Sequence, residues 1–469
     1  MTTQPRSRTI IATVVLGTVL NPLDGSMMAV ALPSIRDSFA ATAASATWLI
    51  TVYYLAGAVA QPIMGRIADL LGARRVFVGG LLLVALACSL AQFVPTIEWL
   101  IALRLVQAVG SSVAFPAGLI IVRRSLLADP DASARAVGSI TWINSLAAVA
   151  GPLVGGAMVQ LLGWRGPFVF GIPFALLGAI IAMVTLPRDS EVEKVPSTTG
   201  LWTRTDALGA VLLGTAIAAL QVGIVGLANP AMLLWFGAFA IALVLLVVRE
   251  KRAAYPFIDS RVLFADPKTP VVLVQYLLAN FTFFAVIVSL PTWLQLAHNL
   301  QPVQSGLVTF PIAVIGVTIT LLLSRFVYGG HGQHILVGMA CLSLGGAVAL
   351  SFLTPATPLL AAALFAVAAA SPNNLTTLTL QSSLYQRVNS AATGAATGLF
   401  QTFRYVGATL ASTVVGLNLH STDPAELTVG MRNVMLCAVA AGGLALVIAL
   451  LLRPGTAPET QSVIAPVES

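Results

Sequence analysis

Few side chains in this sequence can do chemistry, and the most informative of them is Asp24. It stands alone in the apolar run Thr9 to Leu32, TIIATVVLGTVLNPLDGSMMAVAL. That run is long enough to cross a bilayer, which takes about 20 apolar residues. A carboxylate at hydrocarbon depth costs roughly 2.5–3.5 kcal/mol on insertion scales, so a residue in that place is a functional candidate by default, and relaying protons is one of the usual uses. Pro22, two residues earlier, has no N–H to donate and loosens the helix beside the acid. Two guanidiniums lie in comparable runs, Arg104 in IALRLVQAVGSS and Arg404 in GLFQTFRYVG. Arginine stays charged at any working pH, so in an Asp24–Arg104 pair the acid is the member that can change. The alternative for such a pair is an ion pair that only holds helices together.

Other polar groups in apolar runs are Gln107, Asn144, Gln295 and Asn373. Each is costly in lipid unless it finds a partner or faces water. With Arg404 and the aromatic Tyr53 and Tyr54 they are candidates to line an internal cavity, ordinary interhelical contact being the alternative for each. Two glycine clusters stand out. In GRIADLLGARRVFVGG, Gly65 and Gly72 allow tight turns, and Asp69 can cap a helix or pair with Arg74 or Arg75. In AAVAGPLVGGAMV, Gly151, Gly155 and Gly156 remove side chains so that helices approach closely, and Pro152 bends its helix. Cys88, Cys341 and Cys437 have no metal-type spacing and are expected in the core. His331 and His334 in GGHGQH are not expected to hold a metal. No phosphate-binding glycine loop, HExxH or GxSxG is present, so neither an enzyme nor a cofactor is expected.

The elements that must hold these groups are membrane helices. The 469 residues are 58% hydrophobic and 9% charged, with a mean hydropathy of +0.93. Soluble domains carry about 25% charged residues. An all-α polytopic membrane protein is therefore expected, with no soluble domain of useful size. Apolar stretches of spanning length recur near 9–32, 44–65, 76–94, 97–122, 136–162 and 166–186, then 206–224 and 230–249, then 269–290, 303–324, 334–353, 358–382, 391–417 and 428–452. That is about fourteen helices, arranged as a six-helix unit (1–187), a linker with two inserted helices (188–268), a second six-helix unit (269–453) and a disordered tail (454–469). With both termini in the cytoplasm, 19 Lys and Arg fall inside, three outside (Arg36, Arg165, Arg432) and two within helices, out of 24. The net charge of +7 then reflects cytoplasmic loops and not a nucleic-acid partner. Only three lysines, Lys194, Lys251 and Lys268, accompany the arginines, as in a GC-rich bacterial genome. In this topology Asp24 lies ~12 Å below the outer end of its helix and Arg104 ~10 Å below the outer start of its own, which makes them level.

The two six-helix units repeat each other. Ala31–Pro33 answers Ser289–Pro291, Ala73–Gly80 answers Gly332–Met339, Pro116 answers Pro372, Gly138 answers Gly394 and Gly151 answers Gly407, at an offset of 256–259. Paired halves with a site between them are a secondary-transporter pattern. The motifs sharpen this. GRIADLLGARRVFVGG resembles the GxLaDrxGrrxxl signature of the major facilitator superfamily, LRLVQAVGSS its RxxQGxG motif, and GPLVGG the GPxxGG motif of its antiporters. LDGSMMAVALP resembles LDxTIVNVALP of the fourteen-helix drug:proton antiporters, as do LPTWLQLAHNLQPVQSGLVTFP and GAATGLFQTFRYVG. Ser26, Ala29 and Ala108 depart from the family residues.

The resemblance implies a major facilitator fold of two six-helix bundles plus two inserted helices. It implies a monomer in the bacterial inner membrane, exporting small amphiphilic drugs or antibiotics against a proton flux. Asp24 would carry the proton and Arg104 tune it. The Gly65–Arg75 loop, with Arg124, Asp129 and Asp131, would clamp the halves on the cytoplasmic side. The gradient is the energy source and no cofactor is implied. The alternatives left open are a symporter for a small metabolite, an exporter of an endogenous lipid or secondary metabolite, and a non-transporting membrane enzyme or sensor.

Overall fold

A computed structural model describes residues 4–126, 130–189, 206–225, 232, 234–253, 266–327, 331–387, 393–419, 421 and 423–451. The described residues form helices and no strand. In chain order they are α1 (Gln4–Ser38), α2 (Ala43–Leu71), α3 (Ala73–Leu90), α4 (Ile97–Ser112), α5 (Ala114–Ser125), α6 (Pro130–Leu162) and α7 (Gly166–Thr185). An inserted pair follows, α8 (Ala207–Val225) and α9 (Leu234–Arg252). The rest are α10 (Thr269–Ala297), α11 (Pro302–Phe326), α12 (Gly332–Leu350), α13 (Leu359–Ala370), α14 (Pro372–Tyr385), α15 (Thr393–Asn418) and α16 (Pro424–Leu451).

Nine helical stretches among the described residues are long and apolar enough to cross a membrane, ten with α2, which bends by 47° between Gln61 and Ile63. Pro62 has no N–H to donate at that bend. Fewer stretches than the fourteen expected pass this test. Residues 150–185 join α6 to α7, the apolar part of α8 is only Leu208–Ile224, α9 ends in four charged residues, and α15 carries Gln401 and Arg404. Large apolar side chains such as Leu86, Leu161, Val184, Leu322 and Leu360 are exposed on the outer helix faces, the arrangement lipid requires. Cys341 and Cys437 lie on such exposed faces and not in the core; only Cys88 is buried. An apolar residue facing lipid needs no protein partner, so hydrophobicity alone did not separate the two environments.

Two of the expected spans run through as single stretches but each carries a local interruption of its helical hydrogen bonding, with the backbone still helical there. The stretch 97–122 is interrupted at Val113 and the stretch 358–382 at Ser371. Pro116 leaves the Ser112 carbonyl without its intrahelical donor, and Pro372 starts a new helix directly after Ser371. The two interruptions stand 258 residues apart, within the offset of the sequence repeat.

The halves meet along α2 with α15, α6 with α11, and α1 with α10, while α8 packs on α2 and reaches α15. Their closest contacts run from mid-bundle towards the side where α1 ends. Glycines make them possible. A Cβ on Gly156 would stand 2.5 Å from the Pro302 carbonyl oxygen, and one on Gly306 2.6 Å from that of Pro152. Gly416 receives Thr47, and Gly57 receives the ring of Tyr405 at 3.2 Å. Thus Gly156 serves the seam between halves, whereas Gly151 and Gly155 let α6 lie against Leu23, Ser26 and Met27 of α1.

Gly306→Leu should push α11 off α6 and hold this seam open, because overpacking costs about 1–3 kcal/mol. The check is the reaction of a Thr47→Cys thiol, buried in the closed seam, with a membrane-impermeant maleimide. Labelling should rise several-fold; equal labelling with and without Gly306→Leu would contradict the packing argument.

Candidate functional site

Asp24 is held on α1 with 9% of its surface exposed, and Arg104 on α4 is fully buried. Arg104 Nη1 donates to Asp24 Oδ2 at 2.6 Å and to Gln107 Oε1 at 2.7 Å, and its Nε reaches the Leu49 carbonyl at 3.4 Å. The guanidinium lies over the Tyr53 ring, 4.3 Å from its centroid. Gln107 Nε2 in turn donates to Cys88 Sγ at 3.2 Å. A cavity of about 10 Å³ lined by Leu23, Asp24, Met27, Tyr53, Gln107 and Ser111 adjoins the carboxylate, room for about one water. Chemically this is one acid that can exchange a proton beside one cation that cannot.

A polar chain leads from this pair to the other half. Tyr53 Oη donates to the Asn21 carbonyl at 3.2 Å and lies 3.0 Å from Ser111 Oγ. Asn21 Nδ2 donates to Ser111 Oγ at 2.9 Å, and Tyr405 Oη on α15 donates to Asn21 Oδ1 at 3.2 Å. Tyr54 packs between Tyr53, Tyr405 and Phe284. Sequence reasoning missed Asn21 and Tyr405. Asn21 could have been found as a second polar residue in the run that holds Asp24; Tyr405 had only its place beside Arg404.

The remaining candidates divide. Asn144 Oδ1 accepts from Thr18 across the α1–α6 contact. Gln295 Nε2 donates to the Val30 carbonyl and to Ser305 Oγ, which places it on the seam. Asn373 lines a separate cavity of about 30 Å³ in the second half with Gln275, Thr282, Ser343 and Thr376. So these three do not join the Asp24 site. Arg404 lies 5.7 Å from the Tyr405 ring centroid, and none of the ion pairs and hydrogen bonds among the described residues involves it.

In the last turn of α2, Asp69 pairs with Arg124 Nη2 at 3.5 Å, not with Arg74 or Arg75. Burial raises the Asp69 carboxyl above its ordinary value, against the pull of Arg124. Gly72 turns the chain at a φ of +101°, which L side chains rarely adopt. The turn sends the amides of Arg74 and Arg75 to Asp189 Oδ1 and Oδ2, at 3.2 and 3.0 Å, and Arg74 also donates to the Met183 carbonyl. Asp189, which the sequence reading missed, caps α3 from beyond α7. These partners belong to the first half and the segment just after it, so the contacts described here do not bridge the halves. Asp129, in the loop after α5, lies outside the described residues, as do the side chain of Asp131 and Tyr328, which occupies the Asp69 place in the second half. The second half holds an ion pair between the start of α10 and the end of α14, Arg387 Nη1 to Asp266 Oδ2 at 2.5 Å. The Lys268 amide, with Arg387 adding to it, holds the Asp266 carboxyl below its usual range.

An apolar-faced helical shell, two repeated halves and a buried acid–base pair near their seam define a membrane transporter. The family model of the Major Facilitator Superfamily matches residues 14–412, and the chain belongs to that family. It is 31% identical to an uncharacterized MFS-type transporter, YwoD, of Bacillus subtilis, over 95% of this chain and 97% of that one. It is 29% identical to the multidrug efflux pump LfrA of Mycolicibacterium smegmatis over 67% of this chain and 61% of the relative. It is 25% identical to the methylenomycin A resistance protein of Bacillus subtilis over 88% and 87%. Among solved structures, an auto-inhibited peptide transporter of the POT family superposes with a TM-score of 0.68 at 14% identity, covering 96% of this chain and 98% of that one. The xylose transporter XylE of E. coli superposes with a TM-score of 0.64 at 14% identity, over 96% and 98%.

Removing one member of a buried ion pair costs about 3–5 kcal/mol, because it strands the other charge. Asp24→Leu should therefore lower the melting temperature of the purified protein sharply, and adding Arg104→Leu should restore much of it. A double variant that melts no higher than Asp24→Leu alone would contradict this reading.

Proposed function

We propose that this transporter is a proton-coupled exporter of small amphiphilic compounds, working by alternating access. The observation that carries this is the Asp24–Arg104 pair, which among the described residues sets an acid that can gain and lose a charge beside a fixed cation near the seam of the two halves. The positive-inside bias puts both termini in the cytoplasm. The closed side, where α1 ends, is then the outer face, and the closed seam corresponds to a carrier facing inward. The inward-facing carrier has an ionised Asp24 and accepts substrate. Facing outward, where protons are abundant, Asp24 takes a proton and substrate leaves. The return carries the proton in. The two six-helix bundles rock about the glycine crossings, with residues 188–268 as a peripheral insert and the Gly65–Arg75 loop as a cytoplasmic gate whose inter-half partners form in the other state.

Relatives named as efflux and resistance proteins support export of drugs or antibiotics from a bacterial cell membrane. The in-membrane charges, Asp24 against Arg104 and Arg404, leave one excess positive charge. That disfavours dications and leaves neutral, singly positive and anionic amphiphiles as cargo. An endogenous lipid or secondary metabolite fits the same chemistry. No second protein or cofactor is invoked; a monomer and a proton gradient suffice. A symporter would use the same acid with the opposite flux.

The test is pH-gradient-driven uptake of a fluorescent amphiphile into inverted vesicles. The wild type should accumulate it, and Asp24→Asn, matched for expression, should lose gradient-driven uptake while reaching the membrane. Full activity in Asp24→Asn would leave Asp24 as a structural partner only, and flux out of the vesicles would favour the symporter.

A further inference from the structure

Arg104 and Arg404 are both cations at membrane depth, and they are held differently. Asp24 cancels the charge of Arg104 at 2.6 Å. Arg404 stands near the middle of α15, and no ion pair or hydrogen bond among the described residues reaches it. Its electrostatic neighbours are three tyrosines, Tyr54 on α2, Tyr276 on α10 and Tyr405 on α15, all of them buried. The guanidinium lies 5.7 Å from the Tyr405 ring centroid. A neutral ring attracts a cation but does not cancel its charge. Arg104 Nη2 is sealed in the interior without a partner, whereas no nitrogen of the half-buried Arg404 is sealed in that way. The Arg404 charge therefore reaches open space between helices of both halves. Tyr54 lies in the field of Arg404, Arg104 and Asp24 together, so this charge stands close to the proton site.

We propose that Arg404 is the charge filter of the cargo site, holding the carrier to cargo with no more than one positive charge. The proposal rests on the exchange of cargo for a proton at Asp24. With Asp24 protonated, Arg104 and Arg404 leave the proton-loaded carrier with two positive charges at this depth. With Asp24 ionised and a monocation bound, the cargo-loaded carrier also has two. One proton exchanged for one monocation thus takes the same interior charge through both crossings. A dication raises the load to three, and charge in the hydrocarbon region is costly. Without the Arg404 charge, a dication-loaded carrier would hold two, the load the wild type already bears. A fixed charge about 12 Å away at an effective dielectric of about 20 changes affinity by about tenfold for each unit of cargo charge. Tyr54, Tyr405 and Phe284, packed together beside Arg404, offer ring faces to a flat cation. The filter therefore acts on the second charge without removing the attraction for the first.

The experiment compares two phenanthridinium dyes, ethidium with one positive charge and propidium with two. Uptake into inverted vesicles is driven by a pH gradient, with the membrane potential clamped at zero, and read by rapid filtration. The readout is the kcat/KM for propidium divided by that for ethidium. Arg404→Gln should raise this ratio about tenfold, and Arg404→Lys, which keeps the charge, should leave it at the wild-type value. Arg404→Gln strands no partner charge. Should its turnover fall all the same, fluorescence anisotropy of the two dyes on purified protein gives the ratio of affinities, and the same rise is expected there. An unchanged ratio in Arg404→Gln, an equal rise in Arg404→Lys, or a wild type that takes propidium as well as ethidium overturns the filter, while gradient-driven ethidium uptake leaves the proposed exporter standing. A wild type that takes up neither dye overturns the export of cationic amphiphiles and the filter with it.

Discussion

A charge deep inside a membrane must be neutralised, and among the described residues Asp24 is the carboxylate that meets the buried Arg104. Asp24 and Arg104 meet at 2.6 Å in a site with little room for water. The desolvation of two ions is large, and only a short, hydrogen-bonded pair offsets it. Gln107, Tyr53 and the Leu49 carbonyl also surround the guanidinium, whose buried Nη2 has no hydrogen-bond partner among the described residues. Removing the negative charge by protonation leaves Arg104 buried without compensation, so the surrounding helices have a reason to rearrange. In the proposed carrier this is the link from chemistry to motion, the proton altering the cost of one packing of the two halves relative to another.

The second constraint is close backbone approach. The seam is made by reciprocal glycine contacts, Gly156 on Pro302 and Gly306 on Pro152, with Gly416 and Gly57 doing the same for α2 and α15. Without side chains at these points, the backbone of one bundle lies directly against groups of the other. Small residues at crossing points are how helices associate when lipid supplies no hydrophobic drive. In the proposed carrier, the same glycines that let the seam close also keep it weak enough to open.

Much of this was legible in the sequence, and the reasons are physical. Membrane-spanning length and the lone acid in Thr9–Leu32 are one-dimensional signals, and the meeting of Asp24 with Arg104 follows from helix rise and topology. The repeat offset paired Pro116 with Pro372, but the interruptions beside them, at Val113 and Ser371, were not read from the sequence. What stayed hidden depends on which way side chains face. Cys341 and Cys437 look like core residues until lipid is recognised as their solvent. Asn144, Gln295 and Asn373 are polar in apolar runs, as cavity residues are, yet they serve a helix contact, the seam and a separate cavity. Asp69 found Arg124 and not its neighbours in sequence, because the Gly72 turn aims the Arg74 and Arg75 amides at Asp189. No spacing rule reaches from Asn21 to Tyr405.

The central claim is that the acid gives up its proton when the carrier takes up its cargo. The direct measurement is proton release on substrate binding by the purified protein in weakly buffered detergent solution, followed with a pH indicator. The account predicts proton release on substrate binding that approaches one per substrate as the starting pH is lowered and the free carrier becomes fully protonated, as linkage requires, and none from Asp24→Asn with substrate still bound. Equal release from Asp24→Asn and the wild type would contradict it.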